Sequence, residues 1–371
     1  MPLPTFLRLV VVSLVAAVSL SSAHAAQESI DSLLKKLPPP DKLVKPRVRE
    51  AMQDPAEKDP LARQLFAAAD AGDGARALNL GRQLAQKLPK SPYANFLHGT
   101  TALDMKLLPE AAQAFRQSIA ADNGFGISHL ALGVTEMLQG HYAAALPSLA
   151  RSSQLKPSWA VGWLLASQCD EKLGRRDESI TFARRATSIE PDWIWTWIQL
   201  ARAEHAAGHS QETLNAIVRA ASISPDSADM QAVVGFSYIN LNRIPQAIPP
   251  LEKAARMNPD DYLIQGQLGY CLEMVGQTDA AISHLRKATN LNANYGPGWE
   301  QLGYAYLKKG RHQDSINAYE RATRLMPNSR ICWQHLAQEY RAVGRMAEAE
   351  QAQAHAGGGG GSSSARPKKK A

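Results

Sequence analysis

Apolar and polar positions alternate along most of this chain in short blocks with helical spacing, and the blocks come in pairs. In the stretch from Gly296 to Ser329, Trp299, Leu302, Gly303 and Tyr306 fall at i, i+3, i+4 and i+7, one face of a helix. Gly310 supplies a permissive backbone where that face ends, and Ser315, Tyr319 and Ala322 mark the facing stripe of a second helix. Pro327 then blocks further helix, so the pattern predicts a helix, a turn and a helix. The small residues Gly303 and Ala322 let the two axes approach, with Trp299 and Tyr319 filling the space beside them.

The same pattern returns every 34 residues. Pro89, Pro157, Pro191, Pro225, Pro259 and Pro327 stand on one grid, with Asn123 and Ala293 at the two points where proline is missing. Trp163, Trp197, Trp299 and Trp333 share a second register, Gly99, Gly133, Gly235, Gly269 and Gly303 a third, and Gly140, Gly174, Gly208, Gly276, Gly310 and Gly344 a fourth. A fixed period of this length in helical units specifies a solenoid, in which each unit buries its apolar faces against its neighbours.

With W-x2-L-G-x2-Y followed by small, aromatic and proline positions in a 34-residue unit, the sequence resembles the tetratricopeptide repeat family from Lys58 to Ala356. The resemblance implies an all-α, right-handed superhelical solenoid of eight or nine helix-turn-helix repeats. A degenerate unit starts at Lys58, seven fuller ones start at Pro92, Gly126, Ala160, Ile194, Ala228, Tyr262 and Gly296, and a truncated one starts at Arg330. The departures are local: His98 stands at the leucine position, and Glu136, Asp170 and Glu204 at the tyrosine position of three successive units.

The family's use of first helices to line a concave groove implies a partner-binding face here. It would comprise Tyr93, Phe96, Ile127, Leu130, Val134, Leu164, Trp195, Ile198, Arg202, Phe236, Tyr270 and Tyr304. Aromatic anchors among sparse polar groups suit a helix or an extended apolar segment of another protein. The alternative is that these side chains close the solenoid on itself. The lysine and asparagine that hold a C-terminal carboxylate in one branch of the family are absent from the matching positions. Trp163, Trp197, Trp299 and Trp333 sit where the resemblance implies a core aromatic, whereas Trp159, Trp193 and Trp195 form a candidate hot spot, with packing at the turns as the competing reading.

Charge changes the picture little. The 41 basic and 34 acidic residues give +7, but Arg8 and the terminal Arg366, Lys368, Lys369 and Lys370 account for most of the excess. A near-neutral body gives no electrostatic reason for nucleic-acid binding. The carboxylates Glu136, Asp170 and Glu204 are expected to be neutralised by arginines such as Arg184 or Arg202, and are spaced too regularly for an acid/base pair. Arg151, Arg185, Arg219, Lys253, Lys287 and Arg321 read as a solvated basic stripe. His205 and His209 are four apart but lack an obvious third ligand, so no metal and no cofactor is expected. Cys169 and Cys271 are three repeats apart, too far to pair, and Cys332 is the thiol to examine for reactivity.

The ends are of different material. Arg8, an apolar run from Leu9 to Leu20 and Ala23-His24-Ala25 form a secretory signal peptide with cleavage expected after Ala25. The run is too short to span a bilayer and no cysteine follows it, so a periplasmic or secreted protein that is not a lipoprotein is expected. In the arm at 26–57, Ile30, Leu33, Leu34 and Leu37 make one apolar face before three prolines, either docked on the first repeats or loose. Residues 357–371 form a Gly/Ser tether with a cationic tip suited to weak contact with anionic surfaces. Because nearly every residue of the body belongs to a repeat, the reading is an exported, non-enzymatic scaffold that binds a protein partner, with cell-envelope assembly or secretion as its expected setting. The second reading is a regulatory or substrate-presenting subunit of a glycan or polysaccharide system.

Overall fold

The structure is a computed structural model in which residues 55–357 are described. The leader, most of the arm with its Ile30 to Leu37 face, and the tail beyond Gly357 lie outside the described residues. Among the described residues all regular structure is helical. The chain forms two compact units that divide between Ser224 and Pro225. In the first, a 3-10 turn (Pro55–Lys58) leads into α1 (Pro60–Asp70), α2 (Gly74–Lys87), α3 (Pro92–Asp104), α4 (Leu108–Ala121) and α5 (Gly126–Leu138). It continues through α6 (Tyr142–Leu155), α7 (Val161–Lys172), α8 (Arg176–Ile189), α9 (Ile194–Ala207) and α10 (Ser210–Ile223). The second holds α11 (Ala228–Asn240), α12 (Ile244–Met257), α13 (Tyr262–Met274) and α14 (Thr278–Leu291), then α15 (Gly296–Lys308), α16 (His312–Leu325), α17 (Arg330–Ala342) and α18 (Met346–Gly357). Within each unit every helix packs on the next in the chain, and from α3 on successive odd-numbered helices of a unit also touch.

Five of the pairs close by one rule. Their odd helix offers a glycine and their even helix fills the space above it, whereas in α1 and α2 the order is reversed, with Leu65 over Gly81. A Cβ on Gly99 would lie 2.5 Å from Phe115 Cε1, and one on Gly303 would lie 3.0 Å from the Tyr319 ring. Phe115 and Tyr319 are fully buried as a result, and they anchor the hydrophobic cores of their units. This contact is the reason a glycine persists in mid-helix despite its poor helix propensity.

The turn inside each pair needs one residue in the left-handed region. Gly140 takes it with φ +79°, and six other glycines on the same 34-residue register do likewise. In two pairs the position is not glycine: Lys106 has φ +59° and Asn242 φ +56°. Asparagine tolerates that conformation, but lysine pays roughly 1 kcal/mol for its Cβ. Lys106→Gly is therefore expected to stabilise the protein by about 1 kcal/mol in urea unfolding, and Asn242→Gly by less.

The odd helices start in two ways. Asp59, Ser91, Ser227, Asp261 and Ser329 accept hydrogen bonds from first-turn backbone N–H groups. At the same register Phe125, Trp193 and Tyr295 make no side-chain cap and pack instead. Phe125 stands edge-on to Phe96 with ring centroids 5.9 Å apart, and Tyr295 edge-on to Tyr262 at 5.2 Å. Tyr295 fits because Gly266 and Gly298 leave room; a Cβ on either would fall within 2.6 Å of its ring.

Candidate partner-binding faces

The expected groove residues divide by burial. Tyr93, Phe96, Val134, Leu164, Ile198 and Phe236 are buried between helices, which corrects their reading as partner-facing anchors. The cause is the packing of each odd helix against its neighbours, which encloses these particular side chains. Tyr93 and Phe96 stack on each other, and Phe96 also meets Phe115 at 5.8 Å. Ile127, Leu130, Trp195 and Arg202 in the first unit, and Tyr270 and Tyr304 in the second, keep part of their surface in solvent.

In the first unit the partly open face between α7 and α9 is held by a polar network. Arg202 Nη2 lies 2.9 Å from Glu171 Oε1, and Gln199 Nε2 donates to Glu171 Oε2 and to Ser167 Oγ, each at 3.1 Å. Arg202 thus serves Glu171 rather than the acidic ladder. The equivalent face of the second unit is more open and more apolar. Tyr270 and Met274 on α13, Tyr304 and Leu307 on α15 and Ile331 on α17 all retain exposure, with Met274 56% and Ile331 57% exposed. Lys308 Nζ lies 5.1 Å above the Tyr304 ring and 2.6 Å from Glu273, whose carboxylate holds the amine above its ordinary pKa. Tyr304 meets His335 of α17 at 5.8 Å.

The tryptophans are redistributed. Of the four expected in the core only Trp163 is buried; Trp197, Trp299 and Trp333 are half-buried. Their indoles clamp the turn between repeats: the Nε1–H groups donate to the carbonyls of Pro191, Ala293 and Pro327 at 2.7, 2.9 and 2.8 Å. Where the register holds another residue it is again an N–H donor. Asn95 donates to Pro89 O at 3.0 Å, Gln231 to Pro225 O at 3.2 Å and Gln265 to Pro259 O at 3.0 Å. Reasoning from the resemblance missed this role, although the shared donor chemistry of Trp, Asn and Gln was there to be read. Of the candidate hot spot, Trp159 is buried at 6% exposure beneath the repeat, while Trp193 and Trp195 are half-buried against the core of the first unit.

The acidic ladder is internal. Glu204 is 1% exposed, with Arg184 Nη2 at 2.7 Å on one oxygen and His209 Nδ1 at 2.8 Å on the other. Glu136 is paired with Arg116 at 2.8 Å. Burial raises the pKa of Asp170, opposed by Arg175 at 3.6 Å. Members of the basic stripe lie over the register tryptophans: Arg185 Cζ stands 4.4 Å from the Trp163 ring and Arg219 Cζ 5.9 Å from Trp197. Cys332, the thiol singled out for a test of reactivity, is fully buried and its pKa is pushed up to about 12, so it is poorly placed to react.

Three family models, each described as tetratricopeptide repeat, match residues 130–294, 297–329 and 96–158. No curated protein matches the chain. Among solved structures the chain is similar to the MamA protein, at 22% identity and TM-score 0.42 over 44% of this chain and 89% of that one. It is also similar to MamA from Desulfovibrio magneticus RS-1, at 18% identity and TM-score 0.42 over 46% of this chain and 96% of that one. A third similar structure is YrrB, described as a TPR protein with an unusual peptide-binding site, at 15% identity and TM-score 0.45 over 50% of this chain and 95% of that one.

Proposed function

The chain belongs to the tetratricopeptide repeat family, and from that premise we propose that it is a non-catalytic scaffold whose second unit captures an apolar segment of a protein partner. The observation that carries the reading is the set of exposed and partly exposed apolar and aromatic side chains on α13, α15 and α17. Tyr270 and Tyr304 are rigid amphipathic anchors, and Met274, Leu307 and Ile331 add adaptable apolar surface on the same three helices. Lys308 and Glu273 border the patch with an ion pair, so a segment lying there meets a polar edge that limits its register. The leader at 1–25 adds export to the proposal, with envelope assembly or secretion as its setting.

The test is capture of partners by the full chain, compared with a Tyr270→Ala/Tyr304→Ala variant. Both tyrosines are only partly buried, so the fold should survive, as circular dichroism would verify. Capture reduced about tenfold or more is expected, the scale of losing two hot-spot rings. Equal capture by both proteins would overturn the reading. Aspartate at Phe96 or Ile198 would be a poor probe of the first unit, because both side chains are buried and a charge there would break the repeat packing.

A further inference from the structure

A cavity of about 650 Å³ opens between α2 and α4 in the first unit, on the opposite side of α3 from its buried Tyr93 and Phe96. It is walled by Arg82, Gln86 and Lys90 on one side and Glu110 and Gln117 on the other, with Asn95 and His98 as its floor. Its size falls within the roughly 300–1,000 Å³ of small-molecule and side-chain sites. The repeat register explains why it exists.

In four other repeats, those of Trp163, Trp197, Trp299 and Trp333, the same place is filled by the chain's own indole ring. Trp197 touches the Pro191 carbonyl and lies beneath Arg219, and Trp333 touches the Pro327 carbonyl and is stacked on His355 at 4.4 Å. Trp163 lies beneath Arg185. Shifted by whole repeats, those positions are Pro89, Asn95 and Gln117, all of which line the cavity. Asn95 makes the hydrogen bond to Pro89 O that an indole makes elsewhere but contributes no ring. A second loss widens the space. Ala121 stands where the six later repeats carry Leu155, Ile189, Ile223, Met257, Leu291 and Leu325. A smaller cavity of about 370 Å³, lined by Lys287, Asn290 and Leu291, occurs at the same register in the second unit, in the repeat that has Gln265 in place of tryptophan.

We propose that the cavity at Asn95 is a vacant tryptophan seat that takes a planar aromatic ring of indole type supplied from outside the chain. The floor is held rigid by its own contacts: His98 Nε2 lies 2.7 Å from Glu110 Oε1, so the imidazole edge stays fixed beneath the space a ring would occupy. Arg82, paired with Glu110 at 2.7 Å, and Lys90 supply cations at the rim, as Arg185 and Arg219 do for the internal tryptophans. The site lies in the other unit from the patch on α13, α15 and α17, and it does not depend on that reading.

The experiment is a titration of the full chain with indole and with N-acetyltryptophanamide, followed by calorimetry and by thermal unfolding. It is repeated on Ala121→Leu, which restores the side chain of the later repeats, and on Asn95→Trp, which supplies the ring in cis. Binding to the parent that weakens about tenfold or more in both variants, with neither melting earlier, is the expected result. Tighter binding of the amide than of indole identifies a tryptophan side chain of a partner as the source, and the reverse order a free ring compound. No binding to the parent, or binding that either variant leaves unchanged, overturns the proposal. If a variant fails to fold, amide shifts at Gln117, Ala120 and Ala121 of the parent on adding indole serve the same purpose, and their absence refutes it.

Discussion

Arg184→Met is expected to destabilise the first unit by about 2–3 kcal/mol, while Arg184→Met combined with Glu204→Leu returns to within about 1 kcal/mol of the parent. Arg184 itself is largely exposed, so an ordinary surface ion pair would be worth little. The asymmetry comes from Glu204, which is 1% exposed and cannot recover hydration when its partner is removed. His209 still faces the second carboxylate oxygen, which keeps the loss below the roughly 3–5 kcal/mol typical of a fully abandoned buried charge. Replacing both members with apolar side chains removes the desolvation problem together with the attraction that offsets it. Urea unfolding of the parent, both single variants and the double variant measures the coupling, and additive losses would show that Glu204 does not rely on Arg184.

That pair also shows why the body of the fold was legible and parts of the candidate site were not. Gly99, Gly303 and the turn glycines act through their own backbone and the residue sixteen positions on, so a 34-residue period exposes their role directly. The neutralisation of Glu204 by Arg184 was likewise readable, because the same twenty-residue spacing joins Arg116 to Glu136 two repeats earlier. Burial of Tyr93, Phe96 and Ile198 was not, since it depends on how tightly each odd helix packs against its neighbours, a distance that no single unit's pattern encodes. The tryptophans misled for a related reason. A large apolar residue in an amphipathic stripe reads as core, yet Trp197, Trp299 and Trp333 are held half-exposed by the hydrogen bond each indole donates to a turn carbonyl. Asn95 and Ala121 looked unremarkable for the same kind of reason, because a cavity is made by what two separate helices fail to supply.

Asp104 sets a pH dependence of its own. It closes α3, where the free carbonyls of the helix end repel a negative charge, and burial raises its pKa to about 7. In the unfolded chain an aspartate titrates near 4. Between about pH 4 and 7 the folded state therefore holds a proton that the unfolded state has released, and stability falls as pH rises through that window. The contribution is fully present below about pH 4 and lost above about pH 7, the opposite sign to a salt-bridged carboxylate. Asp104→Asn keeps the shape and cannot ionise. It is expected to match the parent near pH 4 and to exceed its stability by about 1–3 kcal/mol at pH 8, a range reduced from the full shift because the carboxyl is only partly enclosed. Groups such as Glu110, held at about 2 by Arg82 and His98, titrate identically in both proteins and cancel from the difference. Urea unfolding of the two proteins across that pH range checks it, and parallel curves would mean that Asp104 ionises in the folded protein as freely as it does in water.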